Sequence, residues 1–172
     1  DLGSRGLGDV YKRQILMMLK KRFLALICGV IFSFGFAPFD LWLLSVLSVA
    51  VLVGSINKSS NKEAFLLGYA FGFGMWLTGI SWLYVSIHYH GNIGIIGSSF
   101  IVLLFISILS LYSGFLFLLN NVLKSLSPKK IIFLTLPVAW VLIEFLRSYL
   151  FTGFPWLISC LLYTSDAADD MF

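Results

Sequence analysis

Long apolar runs decide which class of fold is open to this chain. Five stretches dominate the sequence, and only the last of them contains charged residues: 23–36, 41–56, 64–86, 93–119 and 131–150. A helix needs about 20 apolar residues to cross the hydrocarbon core of a bilayer, and the last three runs reach that length. Only 12% of the residues are charged, against about 25% in soluble domains. The sequence predicts an all-α integral membrane protein, a bundle of about five transmembrane helices with the first two short.

The first two apolar runs leave two arrangements open. They are joined by a short segment that contains Pro38, and a proline disfavours helix in the residue before it. The pair therefore forms either two short crossings or one re-entrant hairpin. We favour two crossings, because flanking residues can snorkel and the bilayer can thin to meet a short span.

Basic residues predict the orientation of the bundle. They cluster before the first run, between the second and third, and between the fourth and fifth; the eight residues are Lys20, Lys21, Arg22, Lys58, Lys62, Lys124, Lys129 and Lys130. With five crossings these clusters all lie on one side, which the positive-inside rule makes cytoplasmic. The opposite side receives the segments 37–40, 86–92 and 151–156, which contain no lysine.

The two ends of the chain differ from the rest. Residues 1–14 are polar and without pattern, and the last residues end in a small acidic run. Residues 4–14 can be encoded by a transposase-type sequencing adapter, and residues 160–169 by the reverse complement of the same transposase end. Segments of foreign origin are set aside before a fold is considered. We expect residues 1–14 and 160–172 to be adapter-derived and residues 15–159 to be the protein.

The charge of residues 15–159 excludes one class of partner. This stretch has nine basic and three acidic residues, the latter being Asp40, Glu63 and Glu144. The basic residues lie in short clusters between apolar runs, a distribution that sets membrane topology rather than a nucleic-acid-binding face. No nucleic acid is predicted as a partner. Cys28, inside the first apolar run, is predicted to be a buried small apolar residue.

Gly68 and Gly72 are candidate helix-packing residues in the third run. They lie four residues apart, and small residues at this spacing let helix backbones approach closely in lipid. We expect them to contact a neighbouring helix.

Glu144 and Arg147 are the candidate functional pair. They are three apart in a predicted helix, so they share a face and can interact. Charges within a span are costly, about 2.5–3.5 kcal/mol each at its centre. Two interpretations stay open: a structural pair that locks the helix to its neighbours, or a polar feature at an outward-facing mouth that meets a lipid headgroup.

His88 and His90 do not predict a metal site. Two histidines cannot complete a zinc site, and no Cys, Asp or Glu lies near them in the sequence. They are interpreted as polar residues at the membrane interface. Neither a metal nor a cofactor is predicted.

Several short phrases, in their order and spacing, resemble the N-terminal membrane part of apolipoprotein N-acyltransferases. They are FSFGFAPFDLWLL, GYAFGFGMWLTGISWLYVSIHYHG and LPVAWVLIEFLRSYLFTGFPWL. The resemblance implies a bacterial inner-membrane, multi-pass enzyme of lipoprotein biosynthesis, active on the periplasmic side. Such an enzyme transfers an acyl chain from a phospholipid donor to the N-terminal diacylglyceryl-cysteine of a lipoprotein acceptor.

The resemblance also implies where the catalytic residues lie. In that family a nitrilase-like domain follows the membrane spans and supplies a cysteine nucleophile, a glutamate base and a lysine. We expect this domain to be missing here, so no catalytic residue is predicted and the chain alone is expected to be inactive. The alternative is a fragment of a polytopic transporter or of a non-enzymatic membrane scaffold, with Glu144 and Arg147 on an ion or substrate pathway.

Overall fold

The described part of the chain is helical throughout its regular structure. The computed structural model describes residues 2–36, 38–56, 59–126, 134–150 and 156–157, with side chains from Tyr11 onward. The helices are α1 Leu2–Ser33, α2 Trp42–Ile56, α3 Asn61–Gly79, α4 Trp82–Val85, α5 Ile95–Leu126 and α6 Thr135–Tyr149, and α4 continues as a π-helical turn over Ser86–His90. The prediction of an all-α fold is confirmed.

Helix α1 is longer than the first apolar run. It has 32 residues, whereas the sequence predicted a short first helix over residues 23–36. The difference arises because residues 14–22 are rich in Leu, Met, Lys and Arg, which are all strong helix formers. The apolar run is therefore the C-terminal part of a longer helix, and the prediction of a short first helix is corrected.

The third apolar run is broken, although the sequence predicted one continuous span. Its two helices, α3 and α4 with the π-helical turn, meet at an angle of 54°. The last regular bond of α3 joins the N–H of Ile80 to the carbonyl of Trp76, after which Leu83 and Tyr84 make tighter bonds to Ile80 and Ser81. Gly79, at the break, has a low helix propensity.

Among the described residues, one helix has by itself the length and composition of a complete membrane span. This helix is α5, and the bent pair of α3 and α4 qualifies as one broken span. Helix α2 is apolar but shorter, and α6 also has 15 residues. The number of five crossings stays a prediction.

Helix α3 is the centre of the bundle and packs most extensively against α5 and α1. Gly68 and Gly72 face α5: a Cβ at Gly68 would lie 2.6 Å from the carbonyl oxygen of Ser113, and one at Gly72 would lie 2.6 Å from the Cβ of that residue. On its other side, Gly74 and Gly29 occupy the contact between α3 and α1. Close backbone approach of this kind depends on small residues.

Hydroxyl and amide groups also join the helices. Ser33 Oγ on α1 donates to the carbonyl of Met75 on α3 at 2.9 Å. Ser45 Oγ on α2 donates to the carbonyl of Phe32 on α1 at 2.6 Å. Buried Thr135, at the start of α6, donates to Asn120 Oδ1 on α5 at 2.9 Å. Such bonds stabilise helix association where lipid provides no hydrophobic force.

The basic part of α1, the start of α3 and the end of α5 come together at one end of the bundle. Lys21 Nζ on α1 lies 3.7 Å from Glu63 Oε1 on α3. Asn121, near the end of α5, donates to Asn61 Oδ1 at the start of α3 at 2.8 Å. The first residues of α3 therefore lie beside both the basic part of α1 and the end of α5 that carries Lys124. We call this the basic end.

Candidate functional site

Arg147 is a buried cation near the C-terminal end of α6. Its side chain is only 6% exposed, and its guanidinium carbon lies 5.0 Å from the centre of the Trp76 ring on α3. Trp76 is itself fully buried. A guanidinium over an indole face is a favourable cation–π contact, which strengthens when water is excluded. The charge is therefore held against the central helix rather than exposed to lipid.

Glu144 lies one turn before Arg147 and has its own aromatic partner. Trp140 Nε1 donates a hydrogen bond of 3.0 Å to Glu144 Oε1. The Trp140 ring lies 5.6 Å from the ring of Phe32 and 6.4 Å from that of Phe117. The carboxylate is thus fixed by a ring that packs against α1 and α5. The pairing of Glu144 with Arg147 stays a prediction.

Both charged residues line one small cavity. It has a volume of about 30 Å³ and lies between α3, α5 and α6, with Tyr112 of α5 and Leu157 also in its wall. A buried water needs about 10–15 Å³ of such space, so the cavity has room for about two waters. In this conformation it is too small for a phospholipid headgroup.

Trp156 and Leu157, which follow α6, lie beside this region. Trp156 Nε1 donates a hydrogen bond of 3.1 Å to the carbonyl oxygen of Gly79. The Trp156 ring lies 5.4 Å from that of Trp82, and Leu157 contacts the position where Gly79 would carry a Cβ. Trp156 thus provides a hydrogen-bond donor to the Gly79 carbonyl at the break in α3. Backbone groups that a break leaves unpaired in a membrane helix need a partner of this kind.

The histidines belong to the turn between α4 and α5. His88 Nδ1 lies 2.8 Å from the carbonyl oxygen of Ile93, so this nitrogen carries the proton and donates. The His88 ring also stacks on Tyr84 at 5.5 Å, whereas His90 is exposed. Within the described residues, no group of three or more His, Cys, Asp or Glu side chains is placed to hold a metal ion.

Cys28 is buried, as the sequence predicted. It is 4% exposed and lies in the apolar core formed by α1 with its neighbours. A nucleophilic cysteine needs access to its substrate and a base beside it. Its burial supports a packing role.

Sequence reasoning found the charged residues but missed most of their surroundings. Trp140 could have been found, because it lies four residues before Glu144 on the same helix face. Trp76 and Tyr112 could not, because they come from other helices. Leu157 could not either, because it follows α6 and lines the cavity only in the folded structure.

Comparisons with known proteins match most of this chain. Residues 28–163 match the family model of the apolipoprotein N-acyltransferase N-terminal domain. The chain is 37% identical over 140 residues to the apolipoprotein N-acyltransferase of Vibrio parahaemolyticus and 40% identical over 136 residues to that of Coxiella burnetii. These alignments cover 81% and 78% of this chain but 28% of each relative. The chain therefore spans little more than a quarter of the curated relatives that it matches.

The matched region includes the site. It contains all of α2 to α6, and with them Glu144, Arg147 and the tryptophans that contact them. These relatives favour an acyltransferase fragment over the transporter or scaffold that the sequence left as an alternative. The chain belongs to the family of the apolipoprotein N-acyltransferase N-terminal domain.

Proposed function

We propose that this chain is the membrane-embedded N-terminal part of an apolipoprotein N-acyltransferase. The whole enzyme would transfer an acyl chain from a phospholipid to the α-amino group of a lipoprotein's diacylglyceryl-cysteine. The observation that carries the proposal is the family match over residues 28–163, which covers the helices around the buried Arg147 cluster. In this proposal the helices hold acyl chains and present them at the outer face.

The proposal places the chain in the bacterial inner membrane with five crossings. They are α1, α2, the broken pair of α3 and α4, α5 and α6. Two contacts support a common cytoplasmic side for the basic clusters, namely Lys21 with Glu63 and Asn121 with Asn61. The bond from Trp156 to Gly79 supports a common periplasmic side for the segments after α3 and α6.

The chemistry of the whole enzyme is proposed to lie outside this chain. The resemblance attributes it to a nitrilase-like domain with a cysteine nucleophile, a glutamate base and a lysine. A thiolate beside a base divides one acyl transfer into two easier steps. Buried Cys28 is not that nucleophile in this proposal.

Sequencing the source locus from a transposase-free library tests the proposal first. We expect the native gene to lack or differ from residues 1–14 and 160–172. It should also continue beyond residue 159 into a nitrilase-like segment that supplies Glu, Lys and Cys. Recovery of DVYKRQ in frame before Ile15 would refute the adapter origin of the N-terminal end. A continuation into further apolar spans alone would instead support a transporter.

The intact protein then allows a direct test of activity. Purified protein, phospholipid and a diacylated lipopeptide should yield triacylated product, detected by mass spectrometry, while the 172-residue chain yields none. A Cys28→Ala variant of the intact protein serves as the control and should retain activity. Product formed by the 172-residue chain in a Cys28-dependent manner would overturn the proposal.

Labelling of introduced cysteines tests the topology. We expect an impermeant maleimide to label His90→Cys in spheroplasts, and to label Asn61→Cys only after the membrane is permeabilised. Both positions are exposed, so accessibility depends on the side of the membrane. The background is a Cys160→Ser chain, in which the remaining Cys28 is buried. Labelling of Asn61→Cys from outside would reverse the proposed orientation.

A further inference from the structure

The basic end carries an open groove, separate from the cavity beside Arg147. It lies between α1 and the start of α3, with a volume of about 470 Å³. Three cations line it: Lys21 and Arg22 from α1, and Lys62 from α3. The side chains of Met17, Met18 and Leu66 form its apolar part. Cationic and apolar surfaces therefore face the same space.

The groove has an excess of positive charge. Its carboxylate, Glu63, lies 3.7 Å from Lys21 and offsets that one cation. Arg22 and Lys62 make no ion pair with any residue in the described part of the chain. The N-terminus of α3 also lies here, capped by Ser60 Oγ at 3.3 Å from the Glu63 nitrogen, and the helix dipole adds positive potential. The groove thus has two uncompensated cations beside a positive helix end.

We infer that this groove binds the headgroup of an anionic phospholipid. The phosphate would lie against Arg22 and Lys62, and the first acyl carbons against the methionines and Leu66. Basic pockets between helices on the cytoplasmic side are typical sites for anionic lipids. A free phosphate ion would leave the apolar part of the groove uncovered, and a zwitterionic headgroup would bring its own cation toward Arg22 and Lys62.

The groove lies apart from the cavity beside Arg147. The groove is at the basic end, whereas Arg147 lies near the C-terminal end of α6, beside residues that follow α3. Its membrane location rests on the proposed topology, but its selectivity does not depend on acyltransfer activity. Lipid bound here would tie α1 to α3 at the cytoplasmic surface.

Native mass spectrometry of the purified chain in a neutral detergent tests the inference. The chain is mixed with equimolar phosphatidylglycerol and phosphatidylcholine of different mass, and the bound lipids are counted. We expect the first bound lipid to be phosphatidylglycerol. Arg22→Gln and Lys62→Gln should each lower that preference about fivefold, the contribution of one cation near an anionic surface. Inorganic phosphate at millimolar concentration should not displace the lipid.

Two control variants separate a specific site from general charge. Lys20→Gln and Lys124→Gln remove the same charge at the same end of the bundle, but neither residue lines the groove. Their lipid preference should match that of the unaltered chain, and circular dichroism should show equal helix content in all four variants. Equal losses in groove and control variants, no preference in the unaltered chain, or displacement by inorganic phosphate would each overturn the inference.

Discussion

Placing one methyl group at Gly29 is expected to separate α1 from α3, whereas the same change at Gly54 leaves the bundle intact. A Cβ at Gly29 would overlap the carbonyl oxygen of Phe71 and lie 2.8 Å from the nitrogen of Met75. Both are backbone atoms of α3, so no side-chain rotation can relieve the overlap. We expect Gly29→Ala to lower the free energy of unfolding by about 3 kcal/mol or more, the upper range for an overpacked core.

Gly54 provides the matched control. It lies on α2, and a Cβ there would have no atom within 4 Å. Because alanine favours helix over glycine by about 1 kcal/mol, Gly54→Ala should leave stability unchanged or slightly raised. The stability of both variants is measured by denaturant titration in detergent, followed by far-ultraviolet circular dichroism. Equal midpoints for the two variants would contradict the packing described for α1 and α3.

Gly74 tests whether the effect belongs to the interface. A Cβ there would overlap the carbonyl oxygen of Leu26 on α1, so Gly74→Ala disturbs the same contact from the other side. Once the helices have separated, a second methyl group meets nothing new. The double variant Gly29→Ala with Gly74→Ala should therefore lose less than the sum of the single losses.

The glycines show how far the sequence could predict the packing. Gly68 and Gly72 stand out because their spacing of four residues is visible along a single helix, and both lie against α5. Gly29 also has small residues four positions before and after it, Ala25 and Ser33. That spacing marks a packing face, but it does not give the register between α1 and α3 that places Gly29 against the Phe71 carbonyl. The bend after Gly79 was missed for the same reason, since the donor that satisfies its carbonyl is Trp156.

The candidate site, like the helix packing, could be predicted from the sequence only in part. The shared face of Glu144 and Arg147 follows from helix periodicity alone. The partner of Arg147 is Trp76 on α3, and this contact requires the fold to bring the end of α6 close to Trp76. Sequence patterns can therefore identify charges that need a partner within the membrane, while the fold determines which rings provide it.

Neutralising either charge of the Glu144 and Arg147 pair is expected to destabilise the full-length enzyme, and neutralising both should restore much of the loss. Glu144→Gln preserves an oxygen that can accept from Trp140, but it leaves the buried cation of Arg147 without a nearby carboxylate. Leaving one buried charge unpaired costs about 3–5 kcal/mol. Arg147→Gln removes the cation above the Trp76 ring, a contact worth up to about 2 kcal/mol when desolvated.

A double-mutant cycle, measured by thermal unfolding in detergent, tests this coupling. The double variant leaves neither charge unpaired, so we expect it to be more stable than the sum of the single losses predicts, by roughly 1–3 kcal/mol. The pair Lys21 and Glu63 is the control, because its side chains are 45% and 23% exposed. A solvated pair contributes about 0–1 kcal/mol, so its cycle should show little coupling.

The same variants distinguish a structural role from headgroup binding. If Arg147 held a phospholipid headgroup, Arg147→Gln would reduce acyl loading of the enzyme while its stability stayed unchanged, and the double variant would not restore loading. The cavity of about 30 Å³ beside Arg147 has room for about two waters, and the guanidinium already lies on Trp76. Both observations favour the structural role. Full thermal stability in both single variants would exclude the structural role. In that case each charge would lose its neighbour without any loss of stability, so the neighbour would not be stabilising it.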